Sequence, residues 1–251
     1  MPADYAALSP IYNQIGMADF AETITPRLIN YVQRSDWLGR RILDMGCGTG
    51  ASMQWLARHS YITSGVDNAP QMLEQARARL TQAGLNFTLY ERDIRELGND
   101  FGTLDMVLAL DVLPEINSLR ELEATFQCAH TVLAEGKLLI FDMYTIQGLT
   151  ERGQHPEGIV YDDQGLTIFS QNNYDYERQV EERRYMIFQQ DGEHWARSAA
   201  TRTLRAYPAQ AIAALLQRCG FAPPTLVNTD FQPYEPGVSA ANRIFFIAEK
   251  R

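Results

Sequence analysis

The stretch that decides the fold is R-I-L-D-M-G-C-G-T-G, residues 41–50. Ile42 and Leu43 end a short apolar run of the kind a buried parallel strand needs. Asp44 stands at its exit, two residues before three alternating glycines, Gly46, Gly48 and Gly50. The A-S-M-Q-W-L-A-R-H that follows has helix-forming composition. Strand, tight glycine turn and helix, in that order, bring bare backbone amides and a helix N-terminus against a small ligand.

The spacing narrows the ligand only in part. Gly46, Gly48 and Ala51 satisfy the dinucleotide pattern G-x-G-x-x-A, so NAD or NADP is not excluded by spacing alone. Asp44 discriminates, because a carboxylate there repels a pyrophosphate and suits a ligand carrying an ammonium group. S-adenosyl-L-methionine (SAM) has that ammonium and no phosphate. On this motif the chain resembles the class I SAM-dependent methyltransferases. The resemblance implies that the glycine turn accommodates the methionine portion, and that Asp44 supports the turn or the ammonium.

Working outward, Y-I-T-S-G-V-D reads as a second strand ending at Asp67. Asn68 and Pro70 start a helix with Met72, Ala76 and Leu80 on one face, and Gly84 stops it. Asp67 lies roughly twenty residues past the first glycine, where nucleotide-binding βαβ units place the carboxylate that accepts the ribose hydroxyls; a plain helix cap is the competing reading. N-F-T-L-Y-E-R-D-I supplies a third strand. The resemblance implies that Asp93 reaches the exocyclic amine of adenine and that Ile94 packs on the ring. L-D-M-V-L-A-L-D-V-L-P-E-I is a fourth strand covered on both faces, which delivers Leu110 and Asp111 to the carboxyl edge where open α/β sheets bind ligands. Ser118 and Glu121 form a capping-box signature opening a helix to about Leu133, and G-K-L-L-I-F-D-M-Y-T is the fifth strand, bringing Asp142 and Tyr144 to the same edge.

Upstream, Phe20, Ile24, Leu28 and Val32 recur at helical spacing, so residues 1–40 read as a helical cap. Tyr12 lies in a stretch that related small-molecule methyltransferases use to close over cofactor or substrate; a core tyrosine anchoring the N-terminal helix is the other reading. Downstream, residues 144–207 change to turn-punctuated alternation, with reversals at 163–165 and 191–192. This segment reads as three or four inserted antiparallel strands. A helix over A-Y-P-A-Q-A-I-A-A-L-L-Q-R-C-G-F and two final strands, T-L-V-N-T-D-F and N-R-I-F-F-I-A-E-K, close the chain. The expected fold is a single α/β domain, 1–251: a Rossmann-like doubly wound sheet of seven strands, mostly parallel with an antiparallel last strand, plus an inserted small antiparallel β-sheet. With that insertion the chain also resembles the bacterial small-molecule methyltransferases that include aminosugar N,N-dimethyltransferases, in which it helps cover substrate or build a dimer face.

The composition is that of one globular domain: 251 residues, 45% hydrophobic and 21% charged. A net charge of -9 disfavours nonspecific nucleic-acid binding and leaves a small-molecule acceptor as the expected partner. No apolar run has membrane-spanning length, the N-terminal residues show no secretory pattern, and three widely spaced cysteines fit a reducing cytoplasm without metal-ligand spacing.

The candidate cofactor-binding residues are Tyr12, Asp44, Gly46, Gly48, Gly50, Asp67, Asn68, Met72, Asp93, Ile94 and Leu110. Asp111 and Tyr144 are the catalytic candidates, and His155, Arg202 and Arg205 are further residues placed to touch substrate. The arginines and tyrosines of the insertion (Tyr174, Tyr176, Arg183, Arg184, Tyr185, Arg197, Arg202) suit either an acidic substrate or a homodimer surface. The sulfonium donor is already activated, so transfer to nitrogen or oxygen needs alignment more than a dedicated catalytic residue. A nucleotide-dependent oxidoreductase and a catalytically silent SAM-binding protein remain the alternatives.

Overall fold

A computed structural model describes residues 5–98, 100–155 and 157–251. Helix α1 (Asp19–Gln33) precedes an alternation of strands and helices: β1 (Arg41–Met45), α2 (Ala51–Arg58), β2 (Ile62–Asp67), α3 (Pro70–Gln82), β3 (Thr88–Glu91), β4 (Leu104–Ala109), α4 (Leu119–Val132) and β5 (Leu133–Tyr144). Each boundary follows from a local signal. Pro70 occupies the first helical position of α3, Gly84 is left-handed (φ 65°) just past its end, and the Ser118 hydroxyl accepts the Glu121 amide at 3.2 Å to open α4.

Two later strands, β10 (Thr225–Asn228) and β11 (Arg243–Glu249), complete a seven-stranded sheet of order β10-β11-β5-β4-β1-β2-β3. Strand β11 runs antiparallel to both neighbours, and the other pairings are parallel. Alternation along the strands feeds two cores. Val107, Ala109, Leu139, Phe141 and Phe246 pack with Phe126 of α4 and with Leu216 of α6 (Ala209–Arg218), while Met106, Leu108, Ile140 and Phe245 pack with Ile24 and Leu28 of α1. The strand order reverses between β1 and β4. Their carboxyl ends, at Gly46 and Leu110, therefore flank the crevice in which such sheets bind ligands.

Between β5 and α6 lie a helix that the sequence pattern did not reveal, α5 (Ile146–Gly153), and four antiparallel strands, β6 (Gly158–Asp163), β7 (Leu166–Asp175), β8 (Val180–Asp191) and β9 (His194–Arg205). Thr145 caps α5 by accepting the Gly148 amide at 2.9 Å. On β8 the set Glu181, Tyr185 and Ile187 is buried and Arg183 half-buried, while Glu182 and Arg184 are exposed. The inner face of this small sheet (Leu166, Ile168, Tyr185, Ile187, Ala200) packs on Leu8, Ile11, Tyr12 and Ala18, which also touch Ala51 and Met72. The segment before α1 is thus clamped between the small sheet and the glycine turn. No helix among the described residues is long and apolar enough to cross a membrane.

Helix α5 seats on the main sheet through Gly148, where a Cβ would fall 1.9 Å from the Asn242 carbonyl oxygen. Gly148→Ala is expected to destabilise the fold by about 1–3 kcal/mol through overpacking against rigid backbone. Urea unfolding checks this; an unchanged midpoint would show that the helix does not need that approach.

Candidate active site

The glycine turn is built as its sequence requires. Gly46, Gly48 and Gly50 all have positive φ (70°, 52° and 74°), and the amides of Gly46 and Cys47 both donate to the Val66 carbonyl, at 2.7 and 3.0 Å, which ties the turn to β2. Asp67, at the end of β2, accepts from the Gly48 amide at 2.9 Å and the Ala69 amide at 2.9 Å. Burial raises its pKa, and those amides oppose the rise.

Above the turn opens a cavity of about 310 Å3. Ten of the candidates line it together: Tyr12, Gly46, Gly48, Asp67, Asn68, Met72, Asp93, Ile94, Leu110 and Asp111. Three others do not. Gly50 serves packing instead, since a Cβ there would meet Ala76 of α3 at 3.2 Å. Asp44 is buried outside the lining, and Tyr144 lines a second cavity. Asp93 is already engaged, its carboxylate gripped by the Arg95 guanidinium and by the Arg95 amide at 2.8 Å, which lowers its pKa.

The second cavity, about 270 Å3, lies between the small sheet, the segment before α1 and the sheet edge. Tyr144, Tyr161, Tyr185, Arg152, Arg183, Arg202 and Arg243 face it. Asp111 lines both cavities.

Asp111 is held from every side. Its backbone is left-handed (φ 60°), its amide donates to Asp142 Oδ1 at 2.8 Å, Arg202 Nη2 donates to Oδ2 at 2.9 Å, and Arg243 donates to Oδ1. Arg243 also reaches Asp142 at 2.6 Å, and Arg202 reaches Glu115 at 2.8 Å. Burial alone would raise the Asp111 pKa, but the two guanidinium groups outweigh it and hold the carboxyl well below the usual range. A carboxylate so held is a fixed charge and a poor proton acceptor at neutral pH. The Tyr144 hydroxyl receives a long contact from Arg243 at 3.4 Å, and the guanidinium groups of Arg243 and Arg152 lie 4.6 and 5.6 Å from its ring.

The remaining candidates scatter. His155 is exposed, and Arg205 donates to the Asn117 carbonyl and stacks over Tyr207, outside both cavities. Tyr174 bonds to Thr150 and Gln179, while Tyr176, Arg184 and Arg197 are exposed. Sequence reasoning missed Tyr5, Arg95, Glu115, Arg152 and Arg243. Glu115 stood in the run read only as the fourth strand and its exit, and it accepts the Tyr5 hydroxyl. Arg243 carried no signal at all, because its partners lie 101 and 132 residues away.

Residues 42–136, from β1 to the start of β5, match the family described as methyltransferase domain. The chain carries a methyltransferase domain. The chain is 27% identical over 212 residues, 84% of each chain, to the protein named "Putative methyltransferase YqeM" of Bacillus subtilis (strain 168). Its fold is similar to a SAM-dependent methyltransferase from Clostridium acetobutylicum, with a TM-score of 0.83, 22% identity and 98% of each chain covered. It is also similar to the sugar N-methyltransferase KedS8 from Streptoalloteichus, with a TM-score of 0.72, 19% identity, and coverage of 100% of this chain and 94% of the other.

A buried acid at the end of β1 lacks a hydrogen-bond partner among the described residues. Asp44 is 3% exposed, its carboxylate takes no hydrogen bond from the described residues, and burial, helped by the charge of Asp67, pushes its pKa up to about 8. The folded-state value lies above the unfolded one, so its stability contribution is present at acid pH and lost as pH rises toward about 8. The ligand-free protein is expected to lose stability between about pH 4 and pH 8, and Asp44→Asn to flatten that decline. Thermal unfolding across pH tests this; parallel curves for wild type and variant would mean that Asp44 is ionised throughout.

Proposed function

We propose that this enzyme transfers a methyl group to nitrogen or oxygen of a small-molecule acceptor that occupies the second cavity. The observation that carries the reading is the charge of the first. Asp67, Asp93, Asp111, Glu115 and Glu121 line it, with Arg95 the one cation among its described lining residues and Arg202 and Arg243 pairing Asp111 and Glu115 from outside it. SAM bears a sulfonium and an ammonium, both positive, whereas a dinucleotide would set its phosphates against these carboxylates. The cofactor is S-adenosyl-L-methionine, which when bound supplies a methyl group already activated for transfer.

The chain's own residues then divide the binding. Asp44, buried outside the lining at the end of β1, supports the glycine turn rather than touching the ligand. Asp67 keeps unused lone pairs for the ribose hydroxyls after accepting two amides. Asp93 and Ile94 serve the adenine, with Asp93 shared between its amine and Arg95. Asn68, Met72 and Leu110 wall the cofactor, and Tyr12 closes over it from the N-terminal segment. Asp111 fixes negative charge where the two cavities meet. Tyr144 orients the acceptor. The likeness to a sugar N-methyltransferase supports nitrogen as the acceptor atom.

Thermal unfolding with SAM, S-adenosylhomocysteine, NAD and NADP in parallel tests the reading. A ligand at about 100 times its dissociation constant stabilises a one-site protein by about 2.7 kcal/mol, so a clear shift is expected with the first pair alone. Asp67→Ala is expected to weaken that binding by about 1–3 kcal/mol, since two hydroxyls lose their acceptor. A shift with NAD or NADP only would overturn the assignment, and wild-type affinity in the variant would overturn the ribose role.

A further inference from the structure

The second cavity is electrically lopsided. On one side of it, Arg152 of α5 and Arg183 of β8 share one carboxylate: Arg152 Nε meets Glu181 Oε2 at 2.8 Å, and Arg183 Nη2 meets Oε1 at 2.8 Å. Glu181 is 1% exposed, and the two arginine side chains are 25% and 13% exposed. Two guanidinium groups over one carboxylate leave an excess positive charge in a half-buried corner. Asn172 Oδ1 accepts from Arg183 Nε at 2.6 Å, so both forks are held along one edge. Both terminal nitrogens of Arg152, and Nη1 of Arg183, have no hydrogen-bond partner among the described residues. At the other end the balance reverses, because Asp111, Asp142 and Glu115 surround Arg202 and Arg243.

These free nitrogens are not sealed from solvent, and a guanidinium fork matches a carboxylate or phosphate in two parallel hydrogen bonds. Resting on the methyltransferase reading above, we infer that the acceptor carries an anionic group, a carboxylate or a phosphate, which Arg152 and Arg183 bind, while its nucleophile lies at the Asp111 end. Tyr144 lies between the two arginine groups, its ring 5.6 Å from the Arg152 guanidinium and 4.6 Å from that of Arg243, and Tyr161, Tyr185 and Ile168 line the same cavity, so it suits an acceptor with a ring or short apolar body. Arg152 and Arg183 are the specificity residues. Glu181 positions them from behind.

The test is calorimetric titration of the full chain, saturated with S-adenosylhomocysteine, with benzoate, phenyl phosphate and benzyl alcohol, which share a ring and differ in charge. At least one anion is expected to bind tenfold or more tightly than the alcohol, and the stronger of the two tells carboxylate from phosphate. Arg183→Gln and Arg152→Gln are each expected to weaken that anion about tenfold, the cost of losing a charged hydrogen-bonded contact. Arg152→Lys keeps a charge beside Glu181 while losing the fork, and is expected to show the same loss even if the glutamine variant folds poorly. Arg197→Gln, on an exposed stretch of β9, is expected to bind as wild type. Equal binding of alcohol and anions, no binding of any probe, or unchanged anion affinity in the Arg152 and Arg183 variants overturns the inference. Loading with S-adenosylhomocysteine is measured first in the same instrument. Its failure would sink the methyltransferase reading, whereas normal loading without anion preference sinks only this one.

Discussion

The Asp111 carboxylate, gripped by Arg202 on one side and Arg243 on the other, is the contact on which the rest of this site depends. It joins three parts of the chain: the exit of the fourth strand, the last strand of the inserted sheet and the final strand of the main sheet. A non-glycine residue in the left-handed region costs on the order of 1 kcal/mol or more, and here the Asp142 carboxylate holds the Asp111 amide in that conformation. Removing any one charge would leave its partner buried and uncompensated, the expensive way to break such a network. Arg202 carries the linkage onward to Glu115, and Glu115 to the Tyr5 hydroxyl, so the N-terminal segment is drawn into the same network.

That segment is a wall for two rooms. Tyr5 and Tyr12 line the acidic cavity, while Ile15, Met17 and Phe20 line the basic one. Thr49 of the glycine turn donates to Asn13 at 2.7 Å, and Gln14 donates to Tyr161 of the inserted sheet at 3.3 Å. One short stretch therefore touches the cofactor-binding turn and the insertion together. A displacement that admits a ligand to either cavity moves a boundary of the other.

Opposite charge in adjacent cavities suits group transfer from a cationic donor. Carboxylates around the first cavity favour a sulfonium and an ammonium and disfavour phosphates, and guanidinium groups around the second disfavour a second copy of the same cation. The pinned carboxylate between them stays charged because its neighbours, and not solvent, stabilise it. Fixed charges of this kind need no reorganisation when a ligand arrives, which is how a protein contributes to a reaction whose leaving group is already activated.

Local signals determined the frame. The alternation of apolar strands with helices, the three glycines of the first turn, and an acid at the end of each of the first two strands made the main sheet and most of the cofactor cavity legible, because each depends on residues within one turn or one βα unit. Tertiary structure alone decided the second cavity. Alternation along β8 divided its side chains into two sets but did not say which set faces inward, and it is the set with Glu181 and Arg183. Helix α5 went unread because its eight residues bury only Gly148 and Leu149, too few for a periodic pattern. Asp44 and Gly50 carried the right residue types yet fall outside the lining of the first cavity, since the spacing of a turn does not tell which of its residues face the opening and which pack beneath. The charges that matter most at Asp111 come from 91 and 132 residues away, and no periodicity or spacing encodes a pairing made only when separate strands close on one point.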